Sequence, residues 1–496
     1  MNTPKKMLKG FFFTVGSGYI ARLGSLSLTI LIKRELGPGV FEDVILGVTL
    51  FMLLSSLREF GLHHALLHYQ DRVEEFIKTH FSLNLVLTLA ASLLNCGVVL
   101  LLVLFLPRDF SWTVAQVVWV FSALHVARQL TLTSEALLRM EFEFGRLSLY
   151  HGLGTILALL ATLLAARAGW GKWSLIIGGW GTLSVCSVVY VLFFSYGVWR
   201  ARPLRIWPLH FDKLWTRRLL SYGIWIWVGW ILQTFVWWYD KLVVGLLVDE
   251  VDGNLSHYEN AWWLVQMPTA IITHIIFSYT NALYSRYRED RERLSEYFNQ
   301  MMSLIVRVSA PLALVVVFNA REVTALLGPD WGPSAPILRW LAAYALLRPL
   351  LDDGHGLLWA VGDTRLSARI MGLQAALALV LVPALGLQWG MRGVAYAMGG
   401  VAGVGVIGLF RGLKAYVVVR WVKVLVAPLV GLALAACAGV IYGIYALNIA
   451  ALDFAGRSGA MVLVYGATLG LLEREMIEEN LMQIRRILSD SSTESE

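Results

Sequence analysis

The sequence predicts an all-α polytopic membrane protein with about 14 transmembrane helices, arranged as two parallel six-helix repeats plus two extra helices. The first observation is composition: hydrophobic residues make up 57% of the 496 residues and charged residues only 15%. Soluble proteins average about 25% charged residues. The other two observations are a series of long apolar segments and an internal repeat. The composition excludes a disordered chain, a nucleic-acid-binding protein and an ordinary cytosolic enzyme.

About fourteen apolar segments are long enough to cross a bilayer, whose ~30 Å hydrocarbon core requires about 20 helical residues. The first segment is too long for a cleavable signal peptide, carries Arg22 in its middle and has no A-x-A site. The last segment and the one at 393–410 are the shortest. The predicted spans are 10–32, 44–66, 80–106, 112–137, 147–166, 173–196, 219–247, 257–284, 299–318, 334–361, 367–386, 393–410, 424–446 and 458–472.

The distribution of basic residues predicts that both termini are cytoplasmic. If Lys5, Lys6 and Lys9 are cytoplasmic, that side carries about 26 of the 41 Lys and Arg residues, and the outer side about 8. The segment 199–218 contributes most to this bias. The net charge of +7 is therefore explained by the positive-inside rule, without an acidic partner.

The chain contains an internal repeat with an offset of about 219–220 residues. This offset covers six helices and preserves their orientation, as in parallel-repeat secondary transporters. The predicted division is an N-terminal lobe at 1–218, a C-terminal lobe at 219–420, two additional helices at 421–472 and a charged cytoplasmic tail at 473–496. A duplicated hairpin without transport function is the alternative. The matching pairs are Ala123/Ala343, Arg128/Arg348, Leu137-Leu138/Leu357-Leu358, Arg146-Leu147-Ser148/Arg365-Leu366-Ser367, Gly152-Leu153/Gly372-Leu373 and Trp170-Gly171/Trp389-Gly390.

Ionisable side chains inside the predicted spans are the candidate functional residues. Each costs at least ~2.5 kcal/mol at the centre of a membrane helix, so they are expected to face an interior or a cavity. Seven Lys or Arg against five Asp or Glu favour an anionic substrate, and arginine forks suit a diphosphate. The set comprises Arg22, Arg58, Glu59, His125, Arg128, Glu135, Asp240, Lys241, His274, Arg307, Arg339, Arg348, Asp352 and Asp353.

Three arginines are the leading candidates for binding a substrate diphosphate. Arg22 lies ~18 Å into the first span, at 1.5 Å per residue, and has no acidic neighbour within a turn. Arg128 and Arg348 occupy matching positions in the two repeats and are expected to face each other across a cavity. The other cations predicted to add positive potential to this site are Arg58, Arg307 and Lys241.

These residues also have structural interpretations. Arg348 and Asp352 are spaced i, i+4 and can pair with each other, and Arg58 lies near a helix end from which it can snorkel. Asp240-Lys241 can form an interhelical ion pair or supply a coupling carboxylate. The carboxylates predicted to bind a coupling ion, H⁺ or Na⁺, are Asp240, Asp352 and Asp353.

The sequence lacks the motifs of several enzyme classes. It contains no G-x-x-x-x-G-K-[ST], G-x-S-x-G or H-E-x-x-H. His63, His64 and His68 crowd the end of the second span, but no Cys, Asp or Glu completes a zinc site. The three cysteines lie in apolar stretches without a pairing pattern. We expect no enzymatic activity, cofactor or metal, and transport driven by an ion gradient, the membrane potential or the substrate gradient.

A series of short motifs runs through most of the chain. They are Arg22 with Lys33-Arg34-Glu35-Leu36-Gly37-Pro38-Gly39-Val40-Phe41, Glu59-Phe60-Gly61-Leu62, Trp238-Tyr239-Asp240-Lys241-Leu242-Val243-Val244-Gly245, Leu326-Leu327-Gly328-Pro329-Asp330-Trp331, Pro336-Ile337-Leu338-Arg339 and Ala360-Val361-Gly362-Asp363. Their order and spacing resemble those of Wzx-type oligosaccharide flippases, in the superfamily of MATE exporters and lipid II flippases. One departure is Glu42-Asp43, where the family usually has Gly. It makes the predicted outer loop more acidic and leaves its turn undefined.

This resemblance implies a V-shaped two-lobe bundle around a central cationic cavity. It implies a polyprenyl-diphosphate-linked oligosaccharide as substrate, moved from the cytoplasmic to the outer leaflet of a bacterial inner membrane for polysaccharide biosynthesis. Coupling to H⁺ or Na⁺ is implied as well. The other expected partners are membrane lipids and polysaccharide-assembly proteins, and no nucleic acid.

Three other functions stay open. A cation-coupled drug exporter of the MATE type requires an acidic or aromatic cavity, and the surplus of basic residues disfavours it. A glycosyltransferase requires a catalytic carboxylate in a sizeable outer loop, but the longest, 319–334, offers only Glu322 and Asp330. A non-transporting scaffold would use the basic segment 199–218 and the charged tail to dock a cytoplasmic partner or anionic lipid headgroups.

Overall fold

The computed structural model describes residues 24–58, 72–106, 110–129, 144–190, 209–248, 253–444 and 450–473, together with isolated positions within 60–69 and 131–135. Within these ranges the regular elements are helical. Seven helices are long and apolar enough to cross a membrane, and an eighth qualifies if two segments bent by 44° form one span. The protein is therefore a multi-pass membrane protein. The count of fourteen spans stays a prediction.

The first half of the described chain consists mainly of long helices. α2 begins with a proline at its first position, which suits a helix start because the missing N–H has no partner there. The Asp212 carboxylate accepts from the Trp215 N–H at 2.8 Å and caps α7. The helices are α1 (24–35), α2 (Pro38–Ser55), α3 (Val73–Phe105), α4 (Trp112–Gln129), α5 (Phe144–Arg167), α6 (172–190) and α7 (Lys213–Leu247).

Several long helices of the second half contain an internal proline. Membrane helices tolerate proline because neighbouring groups satisfy the freed backbone carbonyl. Two short helices lie between α9 and α12. The helices are α8 (Asn254–Arg286), α9 (Arg291–Phe318), α10 (Ala320–Ala325), α11 (Ser334–Trp340), α12 (Ala342–Ala360), α13 (Thr364–Leu413), α14 (Ala427–Ile444) and α15 (Ala450–Leu472).

The chain divides into two compact units by its internal contacts. Unit 1 contains residues 1–260, 326–333 and 364–401, and unit 2 contains residues 261–325, 334–363 and 402–496. Unit 1 has a core around Phe76, Trp215 and Leu219. Unit 2 has a core in which Met461 and Tyr465 of α15 pack with residues of α14 and α9. The division into lobes at residue 218 stays a prediction.

The second predicted span differs from the helix that forms. Residues 44–66 were expected, but α2 runs from Pro38 to Ser55 and continues only as a 3-10 turn to Arg58. Because Pro38 starts the helix early, Glu42 and Asp43 lie inside α2 and not in a loop turn. The Asp43 carboxylate pairs with Lys172 at 3.3 Å, and Glu42 accepts from the Leu255 N–H at 3.4 Å. The two acidic residues therefore hold α2 to its neighbours.

The predicted spans 367–386 and 393–410 lie on either side of a break in α13 at Trp389 and Gly390, where the backbone is not helical, so α13 consists of two helical segments. Gly390 has a φ of 58°, and Gly171, its partner in the sequence repeat, has a φ of 51°. Glycine adopts this left-handed conformation without the steric penalty of a Cβ atom. Both glycines of the repeated Trp-Gly pair therefore have a positive φ, and the arrangement of two parallel six-helix repeats stays a prediction.

A close backbone approach holds α7 against the turn that follows α2. Phe60 has a φ of 36°, and its ring stacks on Trp227 at 4.3 Å. The Trp227 indole N–H donates to the Leu57 carbonyl oxygen at 3.0 Å. A Cβ atom at Gly223 would lie only 1.8 Å from the Phe60 carbonyl oxygen. Only glycine fits at this position of α7.

The Gly223→Ala variant is expected to lower the free energy of unfolding by about 3 kcal/mol, because the added methyl group overlaps a backbone atom that cannot turn away. Thermal unfolding of the purified protein in detergent measures this. The matched control is Gly229→Ala on the same helix, where no atom lies within 4 Å of the new Cβ. A thermal midpoint for Gly223→Ala equal to that of Gly229→Ala would contradict the close approach.

Candidate functional site

A cluster of basic side chains forms in unit 1 where the turn after α2 meets the end of α4. Arg58 ends the 3-10 turn, and His125 and Gln129 lie one helical turn apart on α4. The Gln129 side-chain oxygen, oriented to satisfy its neighbours, accepts from Arg58 Nη1 and Nη2 at 3.0 and 3.2 Å and from His125 Nε2 at 3.0 Å. Gln129 is a neutral acceptor, so it orients the Arg58 guanidinium without cancelling its charge.

Arg128 adds a second guanidinium group to this part of unit 1. It lies in the last turn of α4, and its guanidinium carbon is 5.3 Å from the centre of the Trp180 ring on α6. Such cation–π contacts contribute about 0.5–2 kcal/mol. Arg128 has no ion pair among the residues that the structure describes. Arg58 and Arg128 both lie close enough to His125 to interact with it electrostatically.

A carboxylate that follows α4 in the chain has other partners. Glu135 accepts from the Thr131 hydroxyl at 3.0 Å and lies 3.4 Å from His151 Nε2. The Tyr150 hydroxyl is bonded to Ser187 at 2.9 Å, which joins α5 to α6. Among the described residues, the Arg128 charge is thus stabilised by an aromatic face.

A second charged cluster is buried between α7 and α8 in unit 1. Lys241 is 1% exposed, and its ammonium group lies 3.4 Å from Glu259 and donates to the Trp237 carbonyl oxygen at 2.8 Å. The fully buried Asp240 accepts from the Tyr258 hydroxyl at 2.8 Å. Glu259 keeps a quarter of its side chain exposed. The interhelical ion pair predicted as an alternative for this dipeptide therefore forms, through Glu259.

Lys33 of α1 extends this buried cluster. Its ammonium group donates to the Asn260 side-chain oxygen, and it also lies over the Trp331 ring at 4.9 Å. Asn260 is 1% exposed. Three segments that are distant in sequence thus meet around two lysines and two carboxylates, and the cluster is close to neutral.

In unit 2, Arg348 is held by three side chains. It donates to Asp352 at 3.2 Å, to the Tyr344 hydroxyl at 2.8 Å and to the Gln266 side-chain oxygen at 3.1 Å. The i, i+4 pairing with Asp352 was predicted from spacing. Tyr344 and Gln266 were not predicted, because Gln266 lies on α8 and the contact depends on how α8 and α12 pack.

Asp353 faces a different partner from Asp352. Its two carboxylate oxygens accept from the Tyr284 hydroxyl of α8 at 3.1 and 3.2 Å, and the side chain is buried. The adjacent Asp352 is the partly exposed member and carries the ion pair with Arg348. The two neighbouring carboxylates therefore do not act as one pair.

Arg307 on α9 is engaged by the end of the last described helix. It forms an ion pair with Glu473, directly after α15, and also donates to the Lys423 carbonyl oxygen at 3.0 Å. At the other end of α15, Arg457 pairs with Glu322 at 3.1 Å. The two ion pairs fasten α15 at both ends within unit 2.

The sequence profile of the family described as "Polysaccharide biosynthesis protein" matches residues 34–336 of this chain. The chain belongs to this family. A curated relative, the teichuronic acid biosynthesis protein TuaB of Bacillus subtilis (strain 168), is 27% identical over 129 residues, which is 26% of this chain. That match spans about a quarter of the length of the relative, 26%.

Solved transporter structures share the fold of this family member. A lipid II flippase, MurJ, in an inward closed conformation matches with a TM-score of 0.73 and 14% identity, covering 94% of this chain and 99% of MurJ. An inward-facing multidrug resistance MATE family transporter matches with a TM-score of 0.59 and 16% identity, covering 79% of this chain and 94% of the transporter. The predicted resemblance is confirmed as membership of the polysaccharide biosynthesis family, and these transporters share the fold of the chain.

The structure brings some of the predicted site residues together within each unit. In unit 1, Arg58 and Arg128 both lie near His125, and Asp240 is adjacent to Lys241 in the chain. In unit 2, Arg348 pairs with Asp352, whereas Asp353 and Arg307 have separate partners. Arg22, Glu59 and the three histidines after the second span lie outside the described residues, and no metal-binding group of three His, Cys, Asp or Glu occurs within the described part.

Sequence reasoning missed several residues that complete these clusters. Glu259 is an ionisable residue within the predicted span 257–284, and this position is the sequence feature that identifies it. Gln129 and Trp180 are uncharged, so no comparable feature of the sequence marks them. Glu473 falls just past the last predicted span and was assigned to the tail. The three cysteines are free thiols, as their positions predicted.

Proposed function

We propose that this protein is a flippase that moves a polyprenyl-diphosphate-linked oligosaccharide from the cytoplasmic to the outer leaflet of a bacterial inner membrane. The family membership over residues 34–336 carries the proposal, because it ties a multi-pass membrane protein to polysaccharide biosynthesis. The fold shared with the lipid II flippase over 94% of the chain supports movement by alternating access. Both termini would be cytoplasmic, from the distribution of basic residues.

The diphosphate would bind to guanidinium groups that keep their charge. Arg128 is the leading candidate among the described residues, because its guanidinium lies over an aromatic ring and pairs with no described carboxylate. Arg58 would assist, held in orientation by Gln129. Two N–H groups of a guanidinium match two phosphate oxygens, so arginine gives both charge and geometry. Arg22 would complete the site from another helix.

Three predicted cations fit this role less well. Lys241 is almost fully buried against Glu259, Arg307 is paired with Glu473, and Arg348 is paired with Asp352. Their charges are largely compensated within the protein. We therefore assign Lys241, Arg307 and Arg348 to holding helices together, and we base the diphosphate site on Arg22, Arg58 and Arg128.

Coupling to H⁺ or Na⁺ would use a carboxylate that the transport cycle exposes. Asp240, Asp352 and Asp353 are the candidates, and each contacts a neutralising partner or a tyrosine hydroxyl. Rearrangement of these contacts during transport would change their affinity for a cation. Polysaccharide-assembly proteins and membrane lipids are the expected partners at the cytoplasmic surface.

The second candidate function is a cation-coupled exporter of small molecules. The likeness to the MATE family transporter supports it at the level of fold. Arg58 and Arg128 would repel a cationic drug electrostatically, and this favours the anionic lipid-linked substrate. A test with both substrate classes separates the two functions.

The decisive experiment is reconstitution into liposomes with a fluorescent polyprenyl-diphosphate sugar, scored by access of an external quencher. Wild-type protein is expected to make the lipid in the inner leaflet accessible, at a rate above that of protein-free liposomes. A pH or sodium gradient would change this rate if an ion is coupled. Folded protein that leaves the inner pool protected and transports a cationic dye would contradict the proposal.

A further inference from the structure

The segment Leu326–Pro333 has an unusual place in the chain. By its contacts it is part of unit 1, whereas the helices directly before and after it, α10 and α11, belong to unit 2. The chain therefore enters unit 1 for eight residues and returns. No linker residue separates the segment from either helix, since α10 ends at Ala325 and α11 begins at Ser334.

Two hydrogen bonds connect this segment to α1. The Arg34 Nε donates to the Leu326 carbonyl oxygen at 2.7 Å, and the Trp331 indole N–H donates to the Lys33 carbonyl oxygen at 2.9 Å. Adjacent residues of α1 thus bind both ends of the segment. The Lys33 carbonyl lies in the last turn of α1, where helix carbonyls lack partners within the helix.

Trp331 is the main apolar anchor. It is 1% exposed, with Phe41 of α2 edge-on at 5.5 Å between ring centres and His257 of α8 at 5.9 Å. Leu327 is equally buried. Gly328 has a φ of 120°, which only glycine adopts readily and which lets the backbone pass close to Arg34.

The rest of the segment is exposed. Pro329, Asp330, Gly332 and Pro333 are exposed. The docked state therefore depends on the two buried side chains, the two hydrogen bonds and the contact of the Lys33 ammonium group with the Trp331 ring. Such an attachment is small compared with the helix packing on either side. It can separate without unfolding either unit.

We propose that Leu326–Pro333 is a releasable clasp at the predicted outer side, docked on α1 and α2 in one transport state and released in another. The proposal rests on the alternating-access function proposed above. Two exposed turn residues, Gly332 and Pro333, separate the Trp331 anchor from α11, and Leu326 separates the Leu327 anchor from α10. A movement of α10 and α11 away from α1 by more than these residues can span would pull the segment off α1, so release of the clasp would accompany such a movement.

A disulfide across the clasp tests this directly. A Cβ atom at Gly37 would lie 3.9 Å from the Asp330 carboxylate, and Gly37 has an ordinary φ of −67°. The Gly37→Cys/Asp330→Cys variant is made in the full chain with the native cysteines Cys96, Cys186 and Cys437 replaced by alanine. Oxidation is expected to reduce translocation of the fluorescent lipid at least tenfold, and a reducing agent is expected to restore it.

The matched control is a disulfide within unit 1 that leaves the clasp free. The Ser111 hydroxyl lies 3.3 Å from the Asp43 carboxylate, so Asp43→Cys/Ser111→Cys joins the ends of α2 and α4. Its oxidation is expected to leave the rate unchanged. A fully oxidised Gly37–Asp330 cross-link that translocates as fast as its reduced form would overturn the clasp.

A second readout does not depend on the transported substrate. In the same cysteine-free background, Leu327→Cys places one thiol in the buried contact. It is expected to react with an external maleimide only after release, and to be protected when the Gly37–Asp330 cross-link is present. If wild-type protein flips no lipid but this thiol still shows release, the proposed function fails and the clasp stands. A thiol that stays protected in actively translocating protein would overturn the clasp and leave the function intact.

Discussion

Replacing Arg128 by glutamine is expected to lower translocation of a polyprenyl-diphosphate sugar about 30-fold, equivalent to ~2 kcal/mol of lost binding in the transition state. The physical reason is that the Arg128 guanidinium lies over Trp180 and pairs with no described carboxylate. Its positive charge is therefore not neutralised and attracts a diphosphate fully. Initial rates in reconstituted liposomes measure the effect. Arg128→Lys is expected to recover part of the rate, because it keeps the charge but loses the planar fork.

A matched control separates this effect from a general loss of positive charge. Arg167→Gln removes an exposed arginine of the same unit whose carboxylate partner, Glu35, lies 3.9 Å away. Its translocation rate and its thermal midpoint are expected to equal those of the wild type. An Arg128→Gln variant that is folded, correctly inserted and as fast as Arg167→Gln would exclude Arg128 from the diphosphate site.

Replacing Lys241 by methionine is expected to lower the free energy of unfolding by about 3–5 kcal/mol, because it leaves carboxylates without their cation in a buried site. The Lys241 ammonium group contacts Glu259, a backbone carbonyl oxygen and the face of Trp238 at 4.6 Å, and methionine replaces none of the polar contacts. Thermal unfolding in detergent, with the yield of monodisperse protein, measures the loss.

The double variant Lys241→Met/Glu259→Gln distinguishes a lost ion pair from poor packing. If the carboxylate is neutralised as well, the loss in the free energy of unfolding is expected to be about 1–3 kcal/mol smaller than the sum of the losses in the two single variants, because residues in direct contact are energetically coupled. Glu296→Gln on α9, an exposed position, is the control for removing a carboxylate and is expected to be neutral. Additive effects in the double variant would show that Lys241 and Glu259 do not depend on each other.

Local sequence patterns predicted individual helices and the positions where some of them begin or break. Apolar length predicted the helices, Pro38 and Gly37 explain where α2 begins, and the Trp-Gly pair of the repeat marks the break in α13. The spacing of Arg348 and Asp352 predicted their ion pair, because side chains four residues apart lie on one face of a helix. The motifs Lys33–Phe41 and Leu326–Trp331 predicted the family correctly, although their direct contact with each other could not be anticipated.

Contacts between distant segments could not be predicted in this way. The bond from Arg34 to Leu326 joins residues 292 positions apart, and the Arg307–Glu473 pair spans 166 positions. Their formation depends on which helices pack together and in what rotation. A single sequence contains no periodicity that encodes such neighbours, so the partners of Lys241, Arg58 and Arg307 had to be read from the structure.

The sequence by itself determined that this protein is a multi-pass helical membrane protein, because transfer of long apolar segments into a bilayer depends on composition and length alone. Only the tertiary structure decided which buried charges are compensated. Lys241 and Arg307 have carboxylate partners, whereas Arg128 has an aromatic ring. The energy of a buried charge depends on groups within a few ångströms, and those groups are supplied by other helices.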